Sequence, residues 1–131
     1  MADATSAKSA AAKMHIKSGF TIWAINAPDG YAELLGGLPA MATVTASDDG
    51  DVDFVHLFVR SRDELLQELP KVIESAPDKA PVWVSFPKPK KKETPDISRD
   101  ILMREVLTFG WRSVAGISID DEWSACRVRP Q

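Results

Sequence analysis

The run of apolar residues at positions 54–59 constrains the fold of this chain more than any other feature. Only His56 interrupts it, so both faces of an extended segment are apolar, as in a strand that helices cover on both sides. After one further residue, Ser61 and Glu64 form a Ser-x-x-Glu pattern that is typical of a helix start. Leucine and other aliphatic residues then recur at helical spacing. A strand followed at once by an amphipathic helix predicts an α/β sheet.

The rest of the chain shows the same alternation of short apolar runs and helical patterns. Further strands are predicted at residues 20–25, 41–46, 81–86, 112–119 and 123–129, and further helices at 31–35 and 96–109. Pro70 falls inside the helix that Ser61 begins, and it predicts a kink or a restart there. Only three acidic residues separate the last two strands, which predicts an antiparallel hairpin. The pattern predicts a three-layer α/β sandwich with a mostly parallel sheet of about six strands and a C-terminal antiparallel hairpin.

The link between the second and third strands allows two interpretations. Asp49 and Gly50 form a hairpin signal, which would make the two strands antiparallel neighbours. Alternatively, the link crosses the sheet and keeps both strands parallel. We favour the crossing, because the third strand is apolar on both faces, as buried parallel strands are.

Length and composition indicate one domain. The chain has 131 residues, and its first thirteen are rich in Ala and Ser. We therefore expect residues 1–13 to form a disordered tail and residues 14–131 to form a single domain. The net charge of −3 argues against nucleic acid as a partner. A single cysteine and the absence of a long apolar run predict a cytoplasmic protein with no membrane contact.

Three patches of the sequence stand out: residues 26–31, Trp83 with Pro87 and Lys88, and residues 119–124 with Arg127. In this order they resemble a bacterial family of small proteins known only as a domain of unknown function, over about residues 14–130. The second half of the chain also looks like the second half of a class I methyltransferase sheet. The resemblance implies a reduced, methyltransferase-like Rossmann fold and no assigned activity.

Polar residues follow three of the predicted parallel strands, where each strand ends. Loops that leave parallel strands share one edge of the sheet, where ligands of α/β proteins bind. The helix start at Ser61 offers free N–H groups and partial positive charge, and Lys88 begins a lysine run that continues at 90–92. The sequence predicts a site for a small anionic ligand at this edge, formed by Asn26, Asp29, Ser61, Arg62 and Lys88.

The turn after the first strand argues against a nucleotide or S-adenosylmethionine cofactor. Such sites need a glycine-rich turn that lets the backbone approach the ligand closely. In residues 26–31 only Gly30 suits this role, and Pro28 removes an N–H donor. Asp48 or Asp49 after the second strand would be a ribose-binding acid. Because half of the residues that such a site needs are missing, we expect no cofactor.

Catalytic and metal-binding patterns are also missing. Cys126 has no neighbouring motif that would activate a thiol, and the acidic loop at 48–53 lacks the distal Glu of a calcium loop. We therefore expect no catalytic residue and no metal. The main hypothesis is a non-enzymatic module that binds a small anionic ligand or a partner protein. The alternative is a group-transfer enzyme, methyltransferase-like, with an atypical cofactor site.

Overall fold

The structure is a computed structural model that describes residues 9–46, 51–89 and 96–131. Its helices are α1 (Ala10–Lys13), α2 (Tyr31–Leu34), α3 (Arg62–Ser75) and α4 (Arg99–Thr108). Its strands are β1 (Thr21–Ile25), β2 (Thr43–Thr45), β3 (Phe54–Phe58), β4 (Val82–Pro87), β5 (Trp111–Ser118) and β6 (Trp123–Pro130). In the described part of the chain, every helix is too short or too polar to cross a membrane.

The six strands form one sheet in the order β2-β1-β3-β4-β6-β5. Strands β1 to β4 are parallel to one another, whereas β6 is antiparallel to both β4 and β5. This confirms the predicted mixed sheet with a C-terminal antiparallel hairpin.

The link between β2 and β3 crosses the sheet, as favoured from the sequence. Both strands pair with β1 in parallel, one on each side of it, so they are not neighbours. The hairpin signal at Asp49 and Gly50 lies outside the described residues. After the crossing, Asp53 fixes the start of β1, since its carboxylate accepts a hydrogen bond of 2.9 Å from the Thr21 N–H.

Two apolar layers cover the sheet, one on each face. Val55 and Leu57 of β3 point into the layer that contains the buried residues of α3 and α4. Phe54 and Phe58 point into the layer that contains α1 and α2. Every residue of β3 is buried, which explains why its sequence is apolar at consecutive positions.

Helix α3 begins at the predicted cap. The Ser61 hydroxyl accepts a hydrogen bond of 3.0 Å from the Glu64 N–H. The Glu64 carboxylate accepts one of 2.6 Å from the N–H of Arg60, one residue earlier than in the standard capping box. The helix then runs to Ser75 through Pro70 without a restart, because a buried stripe that includes Leu65 and Leu69 holds it against the sheet.

The N-terminal segment differs from the predicted tail. Residues 1–8 lie outside the described residues, but Ala10–Lys13 form α1, in which Ala10 and Ala11 are buried. The N–H of Ala11 donates to the Leu35 carbonyl at 3.1 Å. Gly36 lets the start of α1 approach this closely, since a Cβ at position 36 would lie 2.8 Å from the Ser9 Cβ. Tertiary packing stabilises a helix that is too short to persist alone, so the disordered-tail prediction does not hold for residues 10–13.

We expect Trp83→Ala to lower the free energy of unfolding by about 3–5 kcal/mol, the usual cost of truncating a large buried aromatic. Trp83 is the second residue of β4 and is only 3% exposed. Denaturant titration measures the loss. Leu107→Ala on α4 is the control, because Leu107 is 51% exposed and its truncation should have a small effect. A loss of less than about 1 kcal/mol for Trp83→Ala would contradict the prediction.

Candidate functional site

The chain changes direction in the sheet between β1 and β3. From β1 it passes to β2 on one side, then returns to β3 on the other. In open α/β sheets, ligands bind outside the carboxyl ends of the strands at such a switch point. A cavity of about 710 Å³ lies at this edge, and we call it the carboxyl-edge cavity. It is lined by Pro28, Arg60, Pro87, Lys88, Pro89, Asp121, Glu122 and Trp123.

The three patches that carry the family resemblance meet at this cavity. The first patch contributes Pro28, the second contributes Pro87 and Lys88, and the third contributes residues 121–123. These segments are far apart in the chain, and the parallel sheet brings their loops to the same edge. The position of this cavity at the carboxyl edge makes it the candidate functional site.

Hydrogen bonds fix the β5–β6 hairpin against the end of β4. The Asp120 carboxylate accepts from the N–H groups of Glu122 and Trp123, at 2.9 and 2.8 Å. The N–H of Lys88 donates to the Glu122 carbonyl at 2.8 Å, and the Lys88 ammonium donates to the Ser118 hydroxyl at 2.6 Å. One wall of the cavity is therefore organised before any ligand arrives.

A cation and an aromatic ring form another part of the wall. The Arg60 guanidinium lies 5.1 Å from the centre of the Trp123 ring, which is within the range of a cation–π contact. Trp123 is itself held edge-on against Phe58 at 5.1 Å. Trp123 is only 7% exposed, so its ring is packed against these neighbours.

The structure places the five predicted ligand-binding residues in different surroundings. Lys88 lines the carboxyl-edge cavity. Asn26 and Asp29 are exposed in the loop that contains Pro28, but they do not line the cavity. Ser61 and Arg62 lie outside it as well. The lysines at 90–92 are outside the described residues.

Carboxylates of the chain itself already occupy the start of α3. The N–H of Arg62 donates to the Asp96 carboxylate at 2.9 Å, and the Ser61 hydroxyl already accepts a hydrogen bond from the Glu64 N–H. The Arg62 guanidinium pairs with Glu105 at 2.7 Å, and this hydrogen bond raises the pKa of Arg62. An external anion would have to compete with these groups, so the structure does not bring the helix start and Lys88 together as one anion site.

Sequence reasoning missed Arg60. It is the second residue after β3 and lies directly before Ser61, whose helix-capping pattern is the more conspicuous sequence signal. Its position in the sequence was the signal that could have identified it. Arg60 follows a strand that is buried on both faces, and the first exposed side chains after such a strand lie at the edge of the sheet where ligands bind. Arg60 is exposed and lines the cavity.

In the interior of the domain, three buried polar side chains connect α2, β3 and β4. The His56 Nδ1 atom lies 2.8 Å from the Tyr31 hydroxyl, and its Nε2 atom lies 2.6 Å from the Ser85 hydroxyl. The imidazole also stacks on Phe58 at 4.3 Å. Burial lowers the pKa of His56 to about 3 and raises the pKa of Tyr31. As a neutral ring, His56 has two hydrogen-bond partners.

The single cysteine is packed in the sheet. Cys126 of β6 is 1% exposed, and burial raises the pKa of its thiol. A raised pKa leaves little thiolate at neutral pH. The side chain therefore packs as a small apolar group.

Comparison with known proteins identifies the fold class. A scan against protein-family models finds no match, and a search of curated proteins finds none. Among solved structures, one described as the DhpI–SAH complex matches 99% of this chain and 85% of its own, with a TM-score of 0.58 and 13% identity. One described as the DhpI–SAM–HEP complex matches 92% of this chain and 84% of its own, with a TM-score of 0.59 and 10% identity.

A third structure is the B. subtilis M1A22 tRNA methyltransferase TrmK, with a TM-score of 0.51 and 8% identity. It is matched over 90% of this chain and 63% of its own, so this chain spans less than two thirds of TrmK. The identities are low, so these likenesses show the fold alone. The fold is Rossmann-like, as the sequence predicted.

We expect the buried His56 to make stability depend on pH. Its pKa is about 3 in the folded state and about 6.5 in an unfolded chain. The unfolded state therefore binds the extra proton below about pH 6.5, and stability falls as pH decreases, by at most about 1.4 kcal/mol per pH unit from this residue.

Denaturant titrations between pH 8 and pH 4 measure this effect against His56→Gln. The variant should show a smaller loss of stability at low pH than the wild type. If it cannot be folded, the imidazole C–H signals in NMR replace it: those of His56 should stay constant down to pH 5, with the exposed His15 as the reference ring. Equal pH slopes, or a His56 signal that titrates near pH 6, would contradict the prediction.

Proposed function

We propose that this protein is a group-transfer enzyme of the methyltransferase-like kind, which binds its cofactor and its acceptor at the carboxyl-edge cavity. The observation that carries this proposal is the place of the cavity, at the switch point of a Rossmann-like sheet. Solved structures of this fold are described as complexes with SAM and SAH. These supports favour the enzyme over the non-enzymatic module.

The residues of the cavity fit S-adenosylmethionine in size and in charge. A volume of about 710 Å³ falls within the range of roughly 300–1,000 Å³ that is typical of small-molecule sites. Arg60 and Lys88 provide cations for its carboxylate. Asp121 and Glu122 provide carboxylate oxygens for its hydroxyl and ammonium groups.

The loop after β1 does not fit the glycine-rich mode of cofactor binding. Pro28 lines the cavity and has no N–H to donate. We therefore assign the main polar contacts to the other wall, where Lys88 and the β5–β6 hairpin are fixed by their own hydrogen bonds. In this respect the proposed cofactor site is atypical.

In the proposed reaction, the cofactor and the side chains of the cavity have different roles. When bound, S-adenosylmethionine supplies an activated methyl group. Arg60, supported by Trp123, and Lys88, supported by Ser118, orient the bound molecules. In this proposal, the carboxylate of Asp121 or Glu122 that does not bind the cofactor accepts a proton from the acceptor.

The non-enzymatic module remains the second candidate because of one observation. Two cations, Arg60 and Lys88, line the same cavity, and this pair alone would hold a small anion such as phosphate. In that case the protein would bind phosphate at this cavity without binding S-adenosylmethionine.

Titration calorimetry with S-adenosylmethionine and SAH separates the two candidates. We expect binding to the wild type and a loss of about tenfold or more in Arg60→Gln and in Lys88→Gln, since a charge-assisted hydrogen bond contributes about 1.5–3 kcal/mol. Arg104→Gln is the matched control, because Arg104 is exposed on α4 and lies outside the cavity. Its affinity should equal that of the wild type.

The same variants define the opposite outcome. If S-adenosylmethionine does not bind at millimolar concentration while phosphate binds in an Arg60-dependent manner, the enzyme proposal is wrong and the anion-binding module is correct. If neither compound binds, the cavity is not the functional site. If binding survives in both cavity variants, the site lies elsewhere in the chain.

A further inference from the structure

A second cavity lies at the opposite edge of the sheet, where β4 and β5 begin and β6 ends. Its volume is about 570 Å³, and we call it the amino-edge cavity. Its basic lining residues are Lys79, Arg112, Arg127 and Arg129. Asp78 is the only acidic side chain among its lining residues, all of which the structure describes.

The arginines are placed together by the register of the β5–β6 hairpin. Arg112 of β5 is directly opposite Arg129 of β6, and like charges in that position destabilise an antiparallel pair. Arg127 is two residues from Arg129 on the same strand, so it lies on the same face of the sheet. The fold therefore brings positive charges close together, and their repulsion lowers the stability of the folded state.

None of these four cations has a counter-ion within the described ranges. The ion pairs found there, Arg62 with Glu105 and Lys71 with Glu68, are elsewhere. The Nε atom of Arg127 is buried and has no hydrogen-bond partner. A buried donor without a partner costs about 1–3 kcal/mol.

We propose that the amino-edge cavity binds a compact oxyanion with more than one negative charge, of the phosphate or pyrophosphate type. Arginine guanidinium groups match the geometry of phosphate oxygens and bind them in pairs. The size of the cavity suits a small molecule, and the net charge of −3 opposes an extended polyanion. This site is separate from the carboxyl-edge cavity and does not depend on the function proposed there.

Thermal unfolding with pyrophosphate tests this proposal. At ten times its dissociation constant, pyrophosphate should raise the Tm of the wild type by about 5 °C over sodium chloride of equal ionic strength. Arg129→Gln should lose most of this rise. Without the anion, its Tm should equal or exceed that of the wild type, because the substitution removes one of two facing like charges. Arg112→Gln provides the same test if Arg129→Gln does not fold.

Two controls identify the site. Arg104→Gln removes an exposed charge on α4 and should keep the full rise, and Lys88→Gln should also keep it, because Lys88 belongs to the other cavity. In NMR, the Nε–H signal of Arg127 should move as pyrophosphate is added. The proposal is wrong if pyrophosphate has no more effect than chloride, if Arg129→Gln keeps the rise, or if Lys88→Gln abolishes it.

Discussion

Burial of β3 on both faces is the constraint on which the rest of this structure depends. Its odd-numbered residues need a helical layer on one side, which α3 and α4 supply, and its even-numbered residues need another, which α1 and α2 supply. A strand covered in this way must be central and parallel to its neighbours. The switch point follows from that position, because β3 lies beside β1 while the chain between them visits the edge at β2. Even the polar His56 obeys the constraint, since Tyr31 and Ser85 bind both of its nitrogens in the interior.

Local sequence signals predicted the fold well wherever they were supported by burial. The cap at Ser61 and the apolar stripe of α3 agree with each other, and both are present. The prediction was less successful where tertiary contacts outweigh local preference. Residues 10–13 are too few to hold a helix alone, yet they are folded because small alanines fit against the sheet and the Leu35 carbonyl accepts the Ala11 N–H. A single sequence contains no signal for that contact, which joins segments more than twenty residues apart.

The candidate site was predictable only in part. The edge of the sheet and Lys88 followed from topology, because a residue directly after a parallel strand has little freedom of position. Ser61 and Arg62 satisfy the same rule, but Arg62 is bound by Asp96, three residues before α4, and by Glu105 of α4. Such a contact depends on how two helices pack, which the pattern of either helix alone does not reveal. Arg60 gained its importance in the same way, through the ring of Trp123 from the distant hairpin.

The two edges of the sheet use positive charge differently. At the carboxyl edge, Arg60 and Lys88 are supported by a ring and a hydroxyl, and carboxylates of the same wall balance them. Such a mixed surface suits a ligand that carries both signs of charge, as S-adenosylmethionine does. At the amino edge, Arg112 and Arg129 face each other and Arg127 has a donor without an acceptor. Since facing like charges cost stability in the free protein, a ligand that neutralises them gains this energy on binding, and the arrangement therefore suits an anion alone.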